Sequence, residues 1–300
     1  MSLAIVHHPD YQAELDPGHR FPMQKYGRLA AVLAEEGVVG PEGFRVPLPA
    51  PAAWLELAHD RAYVDQALAA AVPAAMEREI GLPVTASVAR RAQASAGGTV
   101  LAARLALERG LAVNTAGGSH HARGSGGAGF CVFNDVAVAI RVLQAEGLIR
   151  RALVVDCDVH QGDGTAAIFA GDASVFTLSL HGERNYPVRK VASSLDVGFD
   201  DGLEDAPYLA ALEQALGQAL ARFSPDLVFY NAGVDPHRDD RLGRLALSDD
   251  GLAARERLVM ETIRRRRLPL AGVIGGGYDA DVDRLARRHA ILHRTAKALA

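Results

Sequence analysis

Residues that can bind a metal occur at alternate positions of one segment, at Asp156, Asp158 and His160. The segment follows an apolar run typical of a buried strand, and alternate residues of an extended chain face the same side. We therefore expect these three side chains to face one side. With Asp235, which follows another predicted strand, Asp158 and His160 would offer two carboxylates and one imidazole. That set suits zinc or ferrous iron and leaves a coordination position open for water.

Two adjacent histidines, His120 and His121, also follow a predicted strand and could supply a general base. A separate base is useful because two anionic ligands neutralise a divalent cation, so its water is acidified less than in an all-histidine site. Each imidazole needs an acceptor at its far nitrogen, and Asp156 and Asp163 remain for that purpose. Tyr278, after three glycines, could donate a hydrogen bond to an oxyanion, which implies a carbonyl substrate.

Each of these features also has a simpler interpretation. The segment from Asp156 to His160 could be a strand-end turn with solvated carboxylates, and Tyr278 could be a core aromatic residue with a satisfied hydroxyl. We expect Cys157, between two candidate site residues, to be a buried structural thiol rather than a nucleophile. Polar residues nevertheless follow four separate predicted strands, and this convergence favours one active site.

Short apolar runs alternate with longer helical patterns, which predicts βα units around a mainly parallel sheet. In such a sheet a ligand lies outside the carboxyl ends of the strands, where the candidate residues occur. No repeat or linker divides the sequence, so we predict a single domain over residues 1–300. The predicted strands are Leu3–Val6, Leu111–Val113, Ala152–Val155, Val175–Leu180, Leu227–Tyr230 and Leu270–Ile274. The predicted helices are Ser87–Glu108, Val136–Glu146, Ala206–Phe223, Asp249–Arg266 and Val282–Leu299.

The composition narrows the class of protein. Of 300 residues, 49% are hydrophobic and 23% are charged, which is typical of a globular chain. Lysine and arginine number 32 against 36 acidic residues, so the net charge of −4 argues against a nucleic-acid partner. Two cysteines cannot form a disulfide framework and suit a reducing cytoplasm. Because we see neither a signal peptide nor a membrane-length apolar stretch, we predict a cytoplasmic protein with no membrane partner.

The motifs together resemble the zinc-dependent histone deacetylase family, which also includes acetylpolyamine amidohydrolases and bacterial acetoin-utilisation proteins. The resemblance covers most of the chain. It implies an arginase-like, three-layer α/β fold with a mainly parallel central sheet, and hydrolysis of an acylated amine at one zinc. The matching segments are Gly117 to Ala122, Gly129 to Asp135, Val155 to Thr165, Ser179 to His181, Ala232 to Asp235 and Gly275 to Tyr278.

The resemblance also implies a role for individual residues. The zinc ligands would be Asp158, His160 and Asp235. His121 would act as general base and then acid, and His120 would act mainly through its charge. Asp156 would orient His120, Asp163 would orient His121, and Tyr278 would polarise the acyl carbonyl together with the metal.

Two further sets of residues follow from the same resemblance. Phe130 and Tyr186 would form walls of a narrow channel for the lysine stem, and the carbonyl of Gly129 would accept from the substrate amide. A structural potassium ion would be held by the backbone carbonyls of Asp156, Asp158, His160 and Leu180 and by the hydroxyl of Ser179.

Some segments depart from the commonest family pattern. Gln161 occurs where many relatives have histidine, and Asn185 to Val188 replaces a glycine-rich stretch; both features resemble the class IV branch. Longer acyl chains therefore become plausible substrates beside acetyl. Because Tyr278 is retained, an inactive binding protein is disfavoured.

The sequence predicts a zinc-dependent enzyme that removes acetyl or longer acyl groups from lysine side chains of proteins. One alternative is hydrolysis of small acylated amines such as acetylpolyamines, for which Glu14 and Asp16 are candidate acidic residues at the channel mouth. A second is a non-catalytic protein that binds acyl-lysine. A dinuclear manganese hydrolase is disfavoured because a full second set of ligands is not found. The oligomeric state stays open.

Overall fold

A computed structural model describes residues 3–16 and 18–300. Its centre is a seven-stranded sheet in which every pair of neighbouring strands is parallel. The strands are β1 (Ala4–Val6), β2 (Leu111–Asn114), β3 (Ala152–Asp156), β4 (Val175–Gly182), β5 (Leu195–Phe199), β6 (Leu227–Ala232) and β7 (Leu270–Ile274), in the spatial order β1-β2-β7-β6-β3-β4-β5. The predicted parallel α/β sheet is confirmed.

Ten α-helices connect and cover the strands in the described part of the chain. They are α1 (Lys25–Glu35), α2 (Ala52–Leu55), α3 (Arg61–Leu68), α4 (Ala74–Ile80), α5 (Ala86–Arg109), α6 (Asp135–Ala145), α7 (Asp163–Ile168), α8 (Asp205–Arg222), α9 (Asp249–Arg265) and α10 (Val282–Leu299). Helices α5 and α6 pack against each other, and α9 packs against both α8 and α10. None of these described helices is both long and apolar enough to cross a membrane.

Burial explains which strands could be predicted. Every residue of β2, β3, β6 and β7 is buried, because helices cover both faces of the parallel sheet, so these strands are continuous apolar runs. The first four residues of the edge strand β5 alternate between half-buried and exposed, and they include Asp196 and Gly198. Its pattern is not a continuous apolar run, and the sequence prediction missed it.

The five predicted helices are present with small shifts at their ends. Ser248, expected to mark a helix start, caps α9 by accepting a hydrogen bond from Gly251 N–H over 3.0 Å. Helix α5 begins after Thr85, whose side chain accepts from Val88 N–H, and ends at Gly110 with φ 84°. The prediction missed α1 to α4 and α7. Helices α1 to α4 precede the second strand and have eleven, four, eight and seven residues, and α7 has only six.

The strand order determines where polar segments meet. Strands β2, β7, β6 and β3 are adjacent at the centre of the sheet and all parallel, so their carboxyl ends lie along one edge. The loops that leave these ends carry His120 and His121, Tyr278, Asp235, and the segment from Asp158 to Asp163. Residues far apart in sequence are thereby brought to one place, as expected for a parallel α/β sheet.

Candidate active site

Two aspartates and a histidine form a buried cluster at this edge. One oxygen each of Asp158 and Asp235 and one ring nitrogen of His160 lie within 4.8 Å of one another. His160 Nδ1 is 3.1 Å from Asp158 Oδ1 and 3.0 Å from Asp235 Oδ2. All three side chains are buried. The structure thus brings together the three residues predicted as metal ligands.

The donor set of this cluster fits a divalent cation. Burial raises the pKa of Asp235, and the negative charge of Asp158 raises it further. A divalent cation among the three side chains would offset that repulsion and neutralise both carboxylates. The outer oxygens are held by backbone donors: Gly276 N–H donates to Asp158 Oδ2 over 2.6 Å, and Val159 N–H donates to Asp235 Oδ1 over 2.8 Å. These bonds orient the carboxylates as a metal site requires.

The sequence pattern predicts Asp156, Asp158 and His160 along one extended strand, but only Asp156 belongs to β3. Strand β3 ends at Asp156, and the chain then turns, with His160 N–H donating to Asp158 Oδ1 over 3.0 Å. The carboxylate of Asp156 contacts the side chains of His120 and Asn231, and its Oδ1 also accepts from Asp158 N–H over 3.1 Å. His120 lies beside both carboxylates, with Nδ1 2.7 Å from Asp156 Oδ2 and Nε2 3.8 Å from Asp158 Oδ1.

The adjacent histidines each hold one carboxylate. His120 Nδ1 is 2.7 Å from Asp156 Oδ2, and His121 Nδ1 is 2.7 Å from Asp163 Oδ1. The two ring centroids are 4.1 Å apart. Each ring is oriented through Nδ1, which leaves Nε2 for chemistry in the site. The pairing is the one that the family resemblance implies.

The two histidines differ in protonation. For His120, burial lowers the pKa, but the charges of Asp156 and Asp158 outweigh it and raise the pKa to about 9. For His121, burial and the charge of His120 lower the pKa to about 4. Near neutral pH His120 is therefore cationic, and His121 is a neutral imidazole that can accept a proton. Environments that separate two pKa values in this way are typical of an acid–base site.

Tyr278 reaches the site across Gly275–Gly277, which follow β7. A Cβ at Gly276 would overlap the carboxylate of Asp235, so only glycine lets the backbone pass this close. The ring centroid of Tyr278 is 6.1 Å from that of His160. Burial, and then the charge of Asp235, raises the pKa of the phenol well above its usual value. Tyr278 therefore stays protonated and can donate a hydrogen bond.

A pocket of about 640 Å³ leads to His160 and Tyr278, and the three residues predicted to bind substrate line it. Tyr186 presents its ring edge-on to His121 with centroids 4.8 Å apart, and the Phe130 centroid is 5.8 Å from that of Tyr278. Gly129 has a φ of 52°, and a Cβ there would come within 2.5 Å of the His121 ring. Its carbonyl accepts from Cys131 Sγ over 3.5 Å.

The residues predicted to hold potassium lie in adjacent buried segments. Asp156 at the end of β3 is the register partner of Ser179 on β4, next to Leu180. The hydroxyl of Ser179 is 2.9 Å from His181 Nδ1. All five of the predicted residues, Asp156, Asp158, His160, Ser179 and Leu180, are buried. The ion itself stays a prediction.

Three residues that support the site were missed by sequence reasoning. Asn231 Nδ2 donates to Asp156 Oδ1 over 2.9 Å, and Arg123 Nη2 donates to Asp163 Oδ2 over 2.9 Å. The ring centroid of Phe21 is 5.2 Å from that of Phe130. Asn231 and Arg123 lie within four residues of predicted site residues, which is a signal that could have identified them; Phe21 offered none.

Gln161 connects the loop after β3 to the segment that carries Tyr186. Its amide Nε2 donates to Val191 O over 2.8 Å and to Asp196 Oδ1 over 2.9 Å, and its Oε1 accepts from Val191 N–H over 2.9 Å. This departure from the common family pattern thus has a structural role: two hydrogen bonds hold the segment after β4, and one holds β5, against the loop after β3.

The two cysteines are free and buried, as expected for Cys157. Burial raises the pKa of each thiol to about 12. A thiol that is protonated at neutral pH is a poor nucleophile. Neither Cys131 nor Cys157 therefore competes with the histidines for a role in catalysis.

Known proteins resemble this chain both in sequence and in fold. Residues 19–293 match the family model described as histone deacetylase domain. The chain is 49% identical to an uncharacterized protein of Picosynechococcus over 99% of both chains. It is 32% identical to histone deacetylase 2 of Arabidopsis thaliana over 87% of this chain and 70% of the other. The crystal structure of an HDAC homolog from Aquifex aeolicus superimposes with a TM-score of 0.82 and 25% identity, over 99% of this chain and 84% of that one.

Proposed function

Because the chain belongs to the histone deacetylase family, we propose that it is a zinc-dependent hydrolase that removes acetyl or longer acyl groups from lysine side chains of proteins. One observation carries the proposal. The buried cluster of Asp158, His160 and Asp235 lies beside His121 and Tyr278 at the inner end of one pocket. These residues together supply a cation site, a base and an oxyanion donor, which is the set that amide hydrolysis needs.

The roles of the side chains follow from their environments. When bound, a divalent cation such as zinc would polarise the acyl carbonyl and acidify water. His121 keeps its Nδ1 proton on Asp163, so its Nε2 takes a proton from the attacking water and later gives it to the leaving amine. His120, held by Asp156 through Nδ1, would act mainly through its charge on the negative charge that develops, as the family resemblance implies. Tyr278 donates a hydrogen bond to the oxyanion.

The space beyond the cluster favours a short acyl group. A cavity of about 30 Å³ borders His120, Asp158 and Tyr278 on the inner side of the site. It holds about two water-sized groups. That space suits the methyl of an acetyl group, and each added methylene would have to displace packed side chains. We therefore rank acetyl ahead of longer acyl chains.

The mouth of the pocket favours a lysine substrate over an acetylpolyamine. A polyamine carries further ammonium groups, which need acidic residues at the mouth. Glu14 and Asp16, the candidates for that role, are exposed and do not line the pocket. Five arginines and one glutamate line it instead, so a second ammonium would be repelled.

We also propose a structural potassium ion, held by the carbonyls of Asp156, Asp158, His160 and Leu180 with the Ser179 hydroxyl. Two observations support it. The five residues are buried, and Asp156 and Ser179 are partners in the register of neighbouring strands. Such an ion would offset part of the negative charge below the metal cluster.

The direct test is hydrolysis of acetyl-, crotonyl- and octanoyl-lysine peptides of identical sequence by zinc-loaded protein. We expect the acetyl-lysine peptide to be hydrolysed fastest. The activity should be lost when a chelator is added and restored by zinc. His121→Ala should abolish turnover while zinc content stays unchanged, because His121 is not in the ligand cluster. Acetylspermidine hydrolysed faster than the acetyl peptide would contradict the choice of substrate.

The same zinc-loaded protein can be used to distinguish an enzyme from a non-catalytic protein that binds acyl-lysine. Fluorescence anisotropy measures binding of a labelled acetyl-lysine peptide, and mass spectrometry measures product in the same tube. Saturable binding with no product from zinc-loaded protein would support the binder and refute the enzyme. We expect product, since Tyr278 and both His–Asp pairs are intact.

A further inference from the structure

The mouth of the pocket has a local excess of positive charge. The chain as a whole carries −4, so this excess is not a property of the average surface. Among the described residues that line the pocket, Glu79 is the single acidic side chain. The basic residues that line it are Arg20, Arg78, Arg123, Arg184 and Arg244, which we call the arginine rim.

Three members of the arginine rim have a carboxylate partner. Arg123 pairs with buried Asp163 at 2.9 Å, and this pair belongs to the orientation of His121. Arg184 and Arg244 share one carboxylate, that of Asp201, at 3.8 and 3.3 Å. Two guanidinium groups on one carboxylate leave one positive charge uncompensated.

The other two members are not neutralised by the protein. In the described part of the chain, neither Arg20 nor Arg78 forms an ion pair. Arg20 lies over the ring of Phe130, with its guanidinium carbon 4.8 Å from the ring centroid. It is therefore held at the wall of the pocket without losing its charge. Even with Glu79 counted, five arginines face three carboxylates, which leaves two positive charges.

We infer that the preferred substrate is an acyl-lysine flanked by aspartate or glutamate in the protein chain, recognised by Arg20 and Arg78. The inference rests on the proposed lysine deacylase function and names the sequence class of its substrates. When the lysine stem passes Phe130 to reach His160, the neighbouring residues of the substrate must lie at the mouth. Acidic side chains there would meet the uncompensated arginines and gain both affinity and a faster encounter.

The test compares three acetyl-lysine peptides that differ only in the two residues on each side of the lysine: all Glu, all Gln or all Lys. We expect kcat/KM to decrease in the order Glu, Gln, Lys. Exposed ion pairs are weak, so each contact should contribute about 1.5- to 5-fold. High salt should reduce the differences, because it screens exposed charges.

Variants identify the residues responsible. Arg78→Gln and Arg20→Gln should each lower the Glu-to-Gln ratio of kcat/KM, and the double variant should bring it close to one. The ratio is used because Arg20→Gln also removes a group from the face of Phe130, which affects both peptides alike. Arg265→Gln is the matched control: it removes an exposed arginine from α9, outside the pocket lining, and should leave the ratio unchanged.

The outcomes separate this inference from the proposed function. Equal rates for the three peptides, or a preference for the Lys peptide, would overturn the inference and leave the deacylase intact. If free Nε-acetyl-lysine is as good a substrate as the Glu peptide, the inference is also overturned. The substrate would then be a small anionic molecule rather than an acidic protein segment. If no peptide is hydrolysed, the proposed function fails, and anisotropy with the same labelled peptides decides the inference: equal Kd values overturn it.

Discussion

Tyr278→Phe removes a single hydroxyl from the inner end of the pocket and should remove most of the activity. The hydroxyl makes no hydrogen bond to another described residue, whereas the ring packs near Phe130 and the backbone N–H donates to Asp240 Oδ2 over 2.7 Å. Phenylalanine can therefore keep the ring position. The loss falls on the transition state, where one oxyanion donor contributes about 3 kcal/mol, or roughly 100- to 1000-fold in kcat.

The assay is steady-state hydrolysis of an acetyl-lysine peptide, with zinc content and thermal unfolding measured on the same samples. We expect KM and zinc content to stay close to wild type and Tm to change little, since the lost hydroxyl has no protein partner. Because the phenol pKa is well above its usual value, the wild-type rate should show no decline from phenol ionisation at mildly alkaline pH. A kcat within threefold of wild type would refute the oxyanion role.

Two further predictions concern the cluster and the pH dependence of stability. Gly276→Ala should abolish zinc binding, because the new Cβ overlaps the Asp235 carboxylate; Gly217→Ala in α8 meets no atom within 4 Å and should keep zinc and gain up to about 1 kcal/mol of stability. Zinc analysis on both purified variants checks this, and a fully loaded Gly276→Ala protein would contradict it. Burial lowers the pKa of His59 to about 4, so its neutral form, which accepts from Asn134 N–H, stabilises the fold above the unfolded pKa of 6.5. That contribution should decrease as pH falls, by about 2 kcal/mol between pH 7 and pH 5. Urea unfolding at both values should show a smaller change for His59→Gln, and an equal change would exclude His59 as a source.

The ends of β3 and β7 show which features of the site are local properties of the chain. Buried parallel strands are continuous apolar runs, so their ends, and the polar residues after them, can be located in the sequence. That is why Asp158, His160, Asp235 and Tyr278 could be assigned to one edge before any coordinates. The path of the chain after Asp156 could not be assigned, because β3 ends there and the chain turns, with Asp158 N–H donating back to the Asp156 carboxylate.

The protonation of the histidine pair was likewise outside the reach of sequence. Asp156 and Asp163 could be proposed as acceptors, and the family resemblance supplied the pairing. The pKa shifts are opposite because burial and then the charge of His120 lower the pKa of His121, whereas the charges of Asp156 and Asp158 outweigh burial at His120. The pKa of each histidine depends on its burial and on the charges within a few ångströms. Both are set by packing, which the order of residues in the sequence does not specify.

The sequence by itself determined the fold class, the strands that carry the chemistry and the set of residue types at the site, because periodicity and strand-end position are local properties of the chain. Tertiary structure alone decided the arginine rim. Its members Arg20, Arg78, Arg123, Arg184 and Arg244 have no common spacing in the sequence, and all five lie outside the predicted elements and family motifs. Long-range packing places them around one opening, and a charge excess at one opening is visible only when distances in space are known.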